Sequence, residues 1–138
     1  MHVRAMFQSH PHFSRNPASD ALVNCIEACF DCAQTCISCA DGCLGEKGVA
    51  GLSQCIRLNL DCADACAATG SVLTRRTHTN PALIRRMIET CAELCRACAD
   101  ECERHAEEHG HCRICAEACR DCERTCAAAA TSLGATGP

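Results

Sequence analysis

Aromatic residues are nearly absent from this chain of 138 residues, which has three Phe and neither Tyr nor Trp. A chain of this length is typical of one domain, whose core normally depends on large side chains because they bury the most apolar surface. Here the apolar residues are mostly Ala and Cys with scattered Leu and Ile. The composition therefore indicates that another kind of group occupies the interior.

Long apolar runs are missing as well. The first residues, MHVRAMFQSHPHFSRNP, contain no stretch that could form the core of a signal peptide. No later run approaches the ~18 apolar residues of a membrane span. The formal net charge of −4 is mild and argues against a nucleic-acid-binding surface. We therefore expect a cytoplasmic protein that binds neither nucleic acid nor a membrane and whose thiols stay reduced.

Cysteine, in contrast, is abundant, with 18 residues. The stretch CIEACFDCAQTCISCADGC, residues 25–43, spaces its cysteines by four, three, four, three and four positions. Alternating steps of three and four place side chains on one face of an α-helix. Four segments carry such columns: Cys25, Cys29, Cys32, Cys36, Cys39 and Cys43; Cys55, Cys62 and Cys66; Cys91, Cys95, Cys98 and Cys102; Cys112, Cys115, Cys119, Cys122 and Cys126.

Local signals set the expected ends of these helices. Ser19 or Asp20 can cap the first helix, and the second is expected to end near Gly70. The third should begin at Asn80–Pro81, a cap followed by proline at the first helical position, and continue to Gly110. Because the connections before the second and fourth helices are short, neighbouring helices should be antiparallel. The sequence thus predicts an all-α, up-down-up-down four-helix bundle with a cysteine-lined core.

The bundle is expected to cover residues 18–133. Residues 1–17 form an N-terminal extension, which contains several His and Met and is better explained as a disordered tail than as a metal-sensing arm. Residues 134–138 are expected to be a flexible tail. A second apolar line on the first two helices, which includes Ile26, Ile37, Leu44 and Leu60, indicates packing between neighbouring helices and is also compatible with a subunit interface.

The two ends of the bundle should differ. At one end the inward positions are apolar and form a plug, contributed by Leu22, Leu73, Ile84, Met87 or Ile88, and Leu133. At the other end His105 and His109 continue the register of Cys98 and Cys102, and His111 precedes the next column. We expect this second end to be the entrance, with His105 and His109 as ligands and His111 as a third candidate. Asn59 interrupts the second column as either a polar gap or a spacer.

So many thiols on one axis point to a soft metal ion. Cysteines on one helix are too far apart for good disulfide geometry, and thiolates bind Cu(I), Zn(II) and iron–sulfur clusters. Zinc bound by four thiolates leaves a charge of −2, and several such sites would repel one another without Lys or Arg nearby. One Cu(I) per thiolate is neutral. All 18 cysteines are therefore predicted to bind many Cu(I) ions; a general zinc-type thiolate buffer remains the alternative.

The sequence also predicts how the thiols behave in the absence of metal. Thiols buried away from charges should have a raised pKa and stay neutral, so that the bundle folds before metal arrives.

The chain also has no motif for a nucleotide, a substrate or a nucleophilic triad, and every cysteine neighbourhood looks alike. A redox or iron–sulfur enzyme is therefore disfavoured, and we expect a protein without catalytic activity.

The cysteine columns resemble those of the bacterial cytosolic copper storage proteins, which are Cys-rich four-helix bundles. The resemblance covers roughly residues 20–133 and lies in CIEACFDCAQTCISCADGC, CIRLNLDCADAC, CAELCRACADECERHAEEHGHC and CRICAEACRDCERTC. It implies Cu(I) storage, entrance histidines at positions like His105 and His109, and assembly into homotetramers. A copper chaperone is a further candidate partner of a protein that stores copper ions.

Overall fold

The computed structural model describes the backbone of residues 1–135 and the side chains of residues 1–133. The helices are α1 (Val3–Gln8), α2 (Asp20–Leu44), α3 (Ser53–Thr74), α4 (Pro81–Glu103) and α5 (Gly110–Ala135), and a 3-10 turn at Val49–Leu52 leads into α3. Of the predicted flexible tail at 134–138, residues 134 and 135 are helical in backbone, and the rest lies outside the described residues. Within the described chain, no helix is both long and apolar enough to cross a membrane.

The four long helices form a closed ring. Helix α2 packs against α3 and α5, and α4 packs against the same two helices. Residues 45–52 and 104–109 connect helices at one end, which we call the mouth, and residues 75–80 connect them at the opposite end, which we call the plug end. Each long helix is therefore antiparallel to its neighbours in sequence. This arrangement confirms the predicted up-down-up-down bundle.

The predicted starts of α2 and α4 are confirmed. Ser19 Oγ accepts a hydrogen bond from the Leu22 backbone N–H at 3.1 Å, and Asn80 Oδ1 accepts one from the Leu83 N–H at 3.3 Å. Each cap satisfies a donor that the first turn of a helix cannot pair internally. Pro81 occupies the first turn of α4, where its missing N–H has no cost.

The predicted end near Gly70 is wrong, because α3 continues to Thr74. Gly70 is instead a point of close approach between two helices. A Cβ atom at this position would lie 3.0 Å from Cε2 and Cζ of the Phe30 ring, which is too close for ordinary packing. Glycine allows the aromatic ring of α2 to approach this closely, and it does not mark the end of the helix.

The predicted extent of the third helix is also wrong. Helix α4 ends at Glu103, and residues 104–108 form turns in which the His105 N–H donates to the Cys102 carbonyl at 3.0 Å. The chain must reverse direction before α5 begins at Gly110, so the helix cannot continue through His105 and His109. Both histidines therefore lie on the connecting segment at the mouth and not on the cysteine face of α4.

The plug end is closed by hydrocarbon, as predicted. Leu73 and Ile88 are fully buried, and Leu22 and Ile84 are 5 % exposed. Of the two residues left open by the sequence, Ile88 is the inward one, while Met87 is half-buried. Leu133 packs against this cluster from α5. These side chains separate one end of the cysteine core from solvent.

The prediction that the N-terminal extension is disordered is wrong. It forms α1 and a series of turns, and Phe7 is buried in the core cluster. The guanidinium of Arg76 lies 5.7 Å from the centre of the Phe7 ring and donates a hydrogen bond to Asn16 Oδ1 at 3.0 Å. The Asn16 amide donates in return to the Arg76 carbonyl at 3.2 Å. The sequence missed this docking because it depends on one aromatic side chain rather than on a repeated pattern.

Replacing Phe7 by Ala should detach the N-terminal segment from the bundle. Loss of a buried Phe typically costs about 3–5 kcal/mol, and a helix as short as α1 is not stable in water without such packing. Limited proteolysis should then cleave within residues 1–17 much faster than in the parent protein. Phe13→Ala is the matched control, because Phe13 is 37 % exposed. Equal cleavage rates for the two variants would show that Phe7 does not hold the segment.

Candidate metal centre

All 18 cysteines lie in the core, and every one is buried and unpaired as a free thiol. Helical register alone explains this convergence, since α2, α3, α4 and α5 each turn one cysteine column toward the common axis. Sulfur atoms on different helices approach to 3.6 Å for Cys25 and Cys126 and to 3.7 Å for Cys62 and Cys95. These separations are far longer than a disulfide bond of about 2.05 Å. They are short enough for one metal ion, at about 2.3 Å from each sulfur, to contact several thiolates.

The sulfurs form overlapping groups rather than separate sites. Several sets of four ligand atoms have all members within 4.8 Å of one another, and successive sets share members. Cys36 and Cys119 belong to two of these sets, and Cys32 and Cys122 also appear in two. Described examples are Cys29, Cys91, Cys122, Cys126; Cys32, Cys66, Cys95, Cys122; Cys32, Cys36, Cys62, Cys119; and Cys36, Cys98, Cys115, Cys119. An ion in one set must therefore share sulfur with an ion in the next.

The surroundings of the thiols contain almost no other polar groups. Among the described residues, the polar side chains in the buried class are those of Asn59 and Thr69, and no Lys, Arg, Asp or Glu belongs to it. No buried cation is thus present in the described core to balance several thiolates. The charge of any bound metal must itself provide that balance.

Asn59 is fully buried and lies among the thiols near the mouth. Its Oδ1 is 3.1 Å from Cys98 Sγ, 3.4 Å from Cys102 Sγ and 3.3 Å from Cys115 Sγ, each of which donates to it. Its amide nitrogen donates to Cys55 Sγ at 3.8 Å. Asn59 is therefore a polar member of the network and not a spacer, and its oxygen could serve as a ligand beside the sulfurs.

Replacing Asn59 by Leu should lower the free energy of unfolding of the metal-free protein by about 1–3 kcal/mol, because three thiols lose their buried acceptor. Chemical denaturation under reducing conditions measures this change. Asn24→Leu is the control, since Asn24 lies exposed on α2. If both variants unfolded at the same denaturant concentration as the parent, the Asn59 contacts would contribute nothing to stability.

Two of the thiols near the mouth, Cys112 and Cys43, are held in their neutral form. Burial is the largest cause that raises the pKa of Cys112 to about 12 and that of Cys43 to about 11, both above the ordinary value of 9.0. These two thiols keep their protons at neutral pH, so a metal ion must displace a proton to bind either of them. Binding of a metal ion to either of these two thiols should accordingly tighten as the pH rises.

The prediction that every empty thiol has a raised pKa is wrong for part of the core. Hydrogen bonding with Cys126 and then Cys29 lowers the pKa of Cys25 to about 5. For Cys66, hydrogen bonding with Cys122 and Cys29 raises the pKa above the ordinary value. Because either sulfur of many of these pairs can be the donor, the ionisation of neighbouring thiols belongs to the network and not to single residues.

The three predicted histidines all lie at the mouth, but in different environments. His111 is the one in contact with thiols, since its Nδ1 is 3.5 Å from Cys39 Sγ and 3.6 Å from Cys112 Sγ. The sets of potential ligands include Cys39, Cys43, His111 and Cys112. The His109 ring stacks on that of His111, with centroids 5.4 Å apart. His111, the least favoured of the three in the sequence, is therefore the closest to the core sulfurs.

His105 and the two stacked histidines are each paired with a carboxylate that the sequence did not single out. His105 Nε2 lies 2.9 Å from Glu101 Oε2. Glu46 Oε1 lies 3.2 Å from His111 Nε2 and 3.5 Å from His109 Nδ1. The spacing of Glu101 and His105, four residues apart, is a signal that could have found the first pair. No sequence motif near Glu46 indicates its role, because it contacts the histidines from a different segment, the α2–α3 connection.

Comparison with known proteins agrees with this geometry. A family model described as copper storage protein matches residues 18–131. The solved structure of the Streptomyces lividans copper storage protein Ccsp, loaded with 10 copper equivalents, is 44 % identical, with a TM-score of 0.86 over 94 % of this chain and 98 % of that chain. The Cu(I)-bound copper storage protein BsCsp3 is 40 % identical, with a TM-score of 0.69 over 77 % of this chain and 94 % of that chain.

A curated relative agrees as well. The cysteine-rich protein YhjQ of Bacillus subtilis (strain 168), described as uncharacterized, is 40 % identical over 89 residues, which cover 64 % of this chain and 77 % of that protein. The family match extends over most of the chain and over all 18 cysteines of the core. The chain belongs to the copper storage protein family.

Proposed function

We propose that this protein stores and sequesters many Cu(I) ions in the cytoplasm, bound by the cysteine thiolates inside the bundle, and that it does so without catalysing a reaction. One observation carries the proposal: the sulfurs form overlapping groups along one axis, and no Lys or Arg of the described chain is in the buried class. Such a core suits monovalent ions that share sulfurs.

The balance of charge favours Cu(I) over a divalent ion. Each thiol that binds a metal loses a proton and gains a negative charge. One Cu(I) per thiolate restores neutrality without any help from the protein, whereas Zn(II) closed by four thiolates leaves −2 in an apolar interior. The comparisons favour copper too, because the metal-loaded relatives described above carry copper. The zinc buffer considered from the sequence has no such support.

The histidine-lined mouth is the proposed entrance. The opposite end is closed by apolar side chains, and the mouth is where imidazole nitrogens meet core sulfurs. A neutral imidazole binds Cu(I) through its one nitrogen that carries a free lone pair. Because this is a single bond, the ring can release the ion to a neighbouring thiolate. In this proposal all three histidines meet the ion at the mouth, and His111 transfers it to Cys39 and Cys112.

A homo-oligomer, by resemblance a tetramer, is part of the proposal. Part of the second apolar line is buried, as Ile26, Ala33 and Ala63 illustrate, so packing between helices explains these residues. Ile37 and Leu44 on α2 and Leu60 on α3 remain 56 %, 62 % and 44 % exposed. These exposed side chains favour contact with another subunit. A copper chaperone that docks at the mouth is a further proposed partner.

Anaerobic titration of the reduced protein with Cu(I), in competition with a chromophoric Cu(I) chelator, tests the function. We expect the protein to outcompete the chelator until about one Cu(I) per thiolate is bound, on the order of 18 ions per chain. A parallel titration with Zn(II) present serves as the control and should not lower this capacity. Saturation at one to four ions would reject storage, and effective competition by Zn(II) would favour a general thiolate buffer.

A further inference from the structure

The imidazole ring of His111 packs against α2 at Gly42, where the absence of a side chain leaves room for it. A Cβ atom at Gly42 would lie 3.0 Å from Cγ and 3.1 Å from Cδ2 of the His111 imidazole. Carbon atoms in ordinary contact are about 3.5–4.0 Å apart. Any larger residue at position 42 would therefore force the ring to shift by a few tenths of an ångström. Gly42 lies within α2, where glycine is otherwise unfavourable relative to alanine, so the position has a local cost that the ring explains.

A carboxylate holds the other edge of the same ring. Glu46 Oε1 is 3.2 Å from His111 Nε2, while His111 Nδ1 faces the sulfurs of Cys39 and Cys112 at 3.5 and 3.6 Å. The side chains of Glu46 and His111 are 33 % and 27 % exposed, so the pair lies at the boundary between solvent and core. The two ring nitrogens of His111 thus have opposite partners.

These partners determine which nitrogen carries the proton. A carboxylate can only accept a hydrogen bond, so the contact with Glu46 requires the proton of the neutral imidazole to be on Nε2. The Nδ1 lone pair is then directed at the thiols, where it can accept an S–H or bind a metal ion. Carboxylate partners of metal-binding histidines commonly fix ring orientation in this way.

We propose that Glu46 is a positioning residue of the entrance and that, together with Gly42, it holds His111 with Nδ1 over the Cys39–Cys112 pair. The same carboxylate oxygen lies 3.5 Å from His109 Nδ1, so one side chain aligns both stacked rings. The proposal rests on the proposed function, because transfer of Cu(I) through the mouth is what gives this orientation its role.

Nuclear magnetic resonance of the imidazole nitrogens tests the positioning in metal-free, reduced protein. At a pH well above the ordinary His pKa of about 6.5, the His111 ring, assigned by comparison with His111→Ala, should be in the Nε2–H form only. Glu46→Ala should give a mixture of the two tautomers, and Glu46→Gln should restore the Nε2–H form, since its amide oxygen still accepts. Glu107→Ala is the matched control: it removes an exposed carboxylate from the same end, and no described side-chain contact involves Glu107.

Copper uptake gives the second readout. Glu46→Ala should weaken binding of the ion at the mouth by about 10–100-fold and slow loading, with total capacity unchanged to within about one ion. Gly42→Ala should do the same by displacing the ring, and Glu107→Ala should behave as the parent. An unchanged tautomer in Glu46→Ala, or equal slowing in Glu46→Ala and Glu107→Ala, would overturn the proposal. Failure of the parent to store copper would refute the proposed function alone, because the tautomer is measured without metal.

Discussion

A variant that lacks Cys36 and Cys119 should store fewer Cu(I) ions than a variant that lacks two cysteines from the ends of the columns. Both residues belong to two overlapping sets of ligands, and their sulfurs lie 3.7 Å apart. Removing a shared sulfur deprives ions on both sides of a ligand, so the loss should exceed the number of cysteines removed. We expect Cys36→Ala/Cys119→Ala to lose roughly four ions or more per chain, as follows from sharing of soft thiolate ligands.

The matched control is Cys25→Ala/Cys55→Ala. Cys25 contacts Cys126 at the plug end, and Cys55 contacts Cys102 near the mouth, each at the edge of the sulfur network. This variant should lose about two ions, in proportion to its missing thiolates. Elemental analysis of fully loaded, chelator-washed protein measures both values. Equal losses in the two variants would mean that each ion is bound independently, which contradicts the continuous network.

Removal of all metal should leave the bundle folded, and loading should then raise its stability strongly. The helix caps, the apolar plug and the packing of α2 on α3 involve no metal, and the core thiols satisfy one another by hydrogen bonds. A protein whose site exists before the metal binds differs from a zinc finger, which is unfolded without its ion.

Circular dichroism of the reduced, chelator-treated protein should therefore show a helical spectrum and a cooperative thermal transition. The midpoint should rise stepwise with added Cu(I), because each site held at a free concentration 100 times its dissociation constant adds about 2.7 kcal/mol. An oxidised sample serves as the control for disulfides formed in air. A random-coil spectrum without metal would show that copper drives folding rather than filling a preformed channel.

The bundle could be predicted from the sequence because the cysteine columns combine two signals. They mark the inward face of each helix, and their steps of three and four residues fix helical periodicity. Capping residues such as Ser19 and Asn80 then located two helix starts correctly. The prediction that glycine marks the end of a helix was wrong at Gly70. Gly70 lies inside α3 to admit the Phe30 ring, and a local pattern cannot distinguish that role from a helix end.

The mouth was predicted less well than the core. Its composition was evident from His105, His109 and His111, but the turn after Glu103 reorders them, so that His111 and not His105 contacts the sulfurs. Glu46 belongs to a different connection, and its contact with the histidines exists only once the antiparallel helices bring the two connections together. Contacts between segments distant in sequence have no periodicity that would reveal them.

The most direct test of copper storage inside the bundle is a crystal structure of the loaded protein with anomalous diffraction measured on both sides of the copper absorption edge. We predict a series of copper peaks along the axis of the bundle, each close to sulfurs from two or more of α2, α3, α4 and α5. Peaks confined to the outer surface, or only one or two peaks in fully loaded protein, would contradict the account.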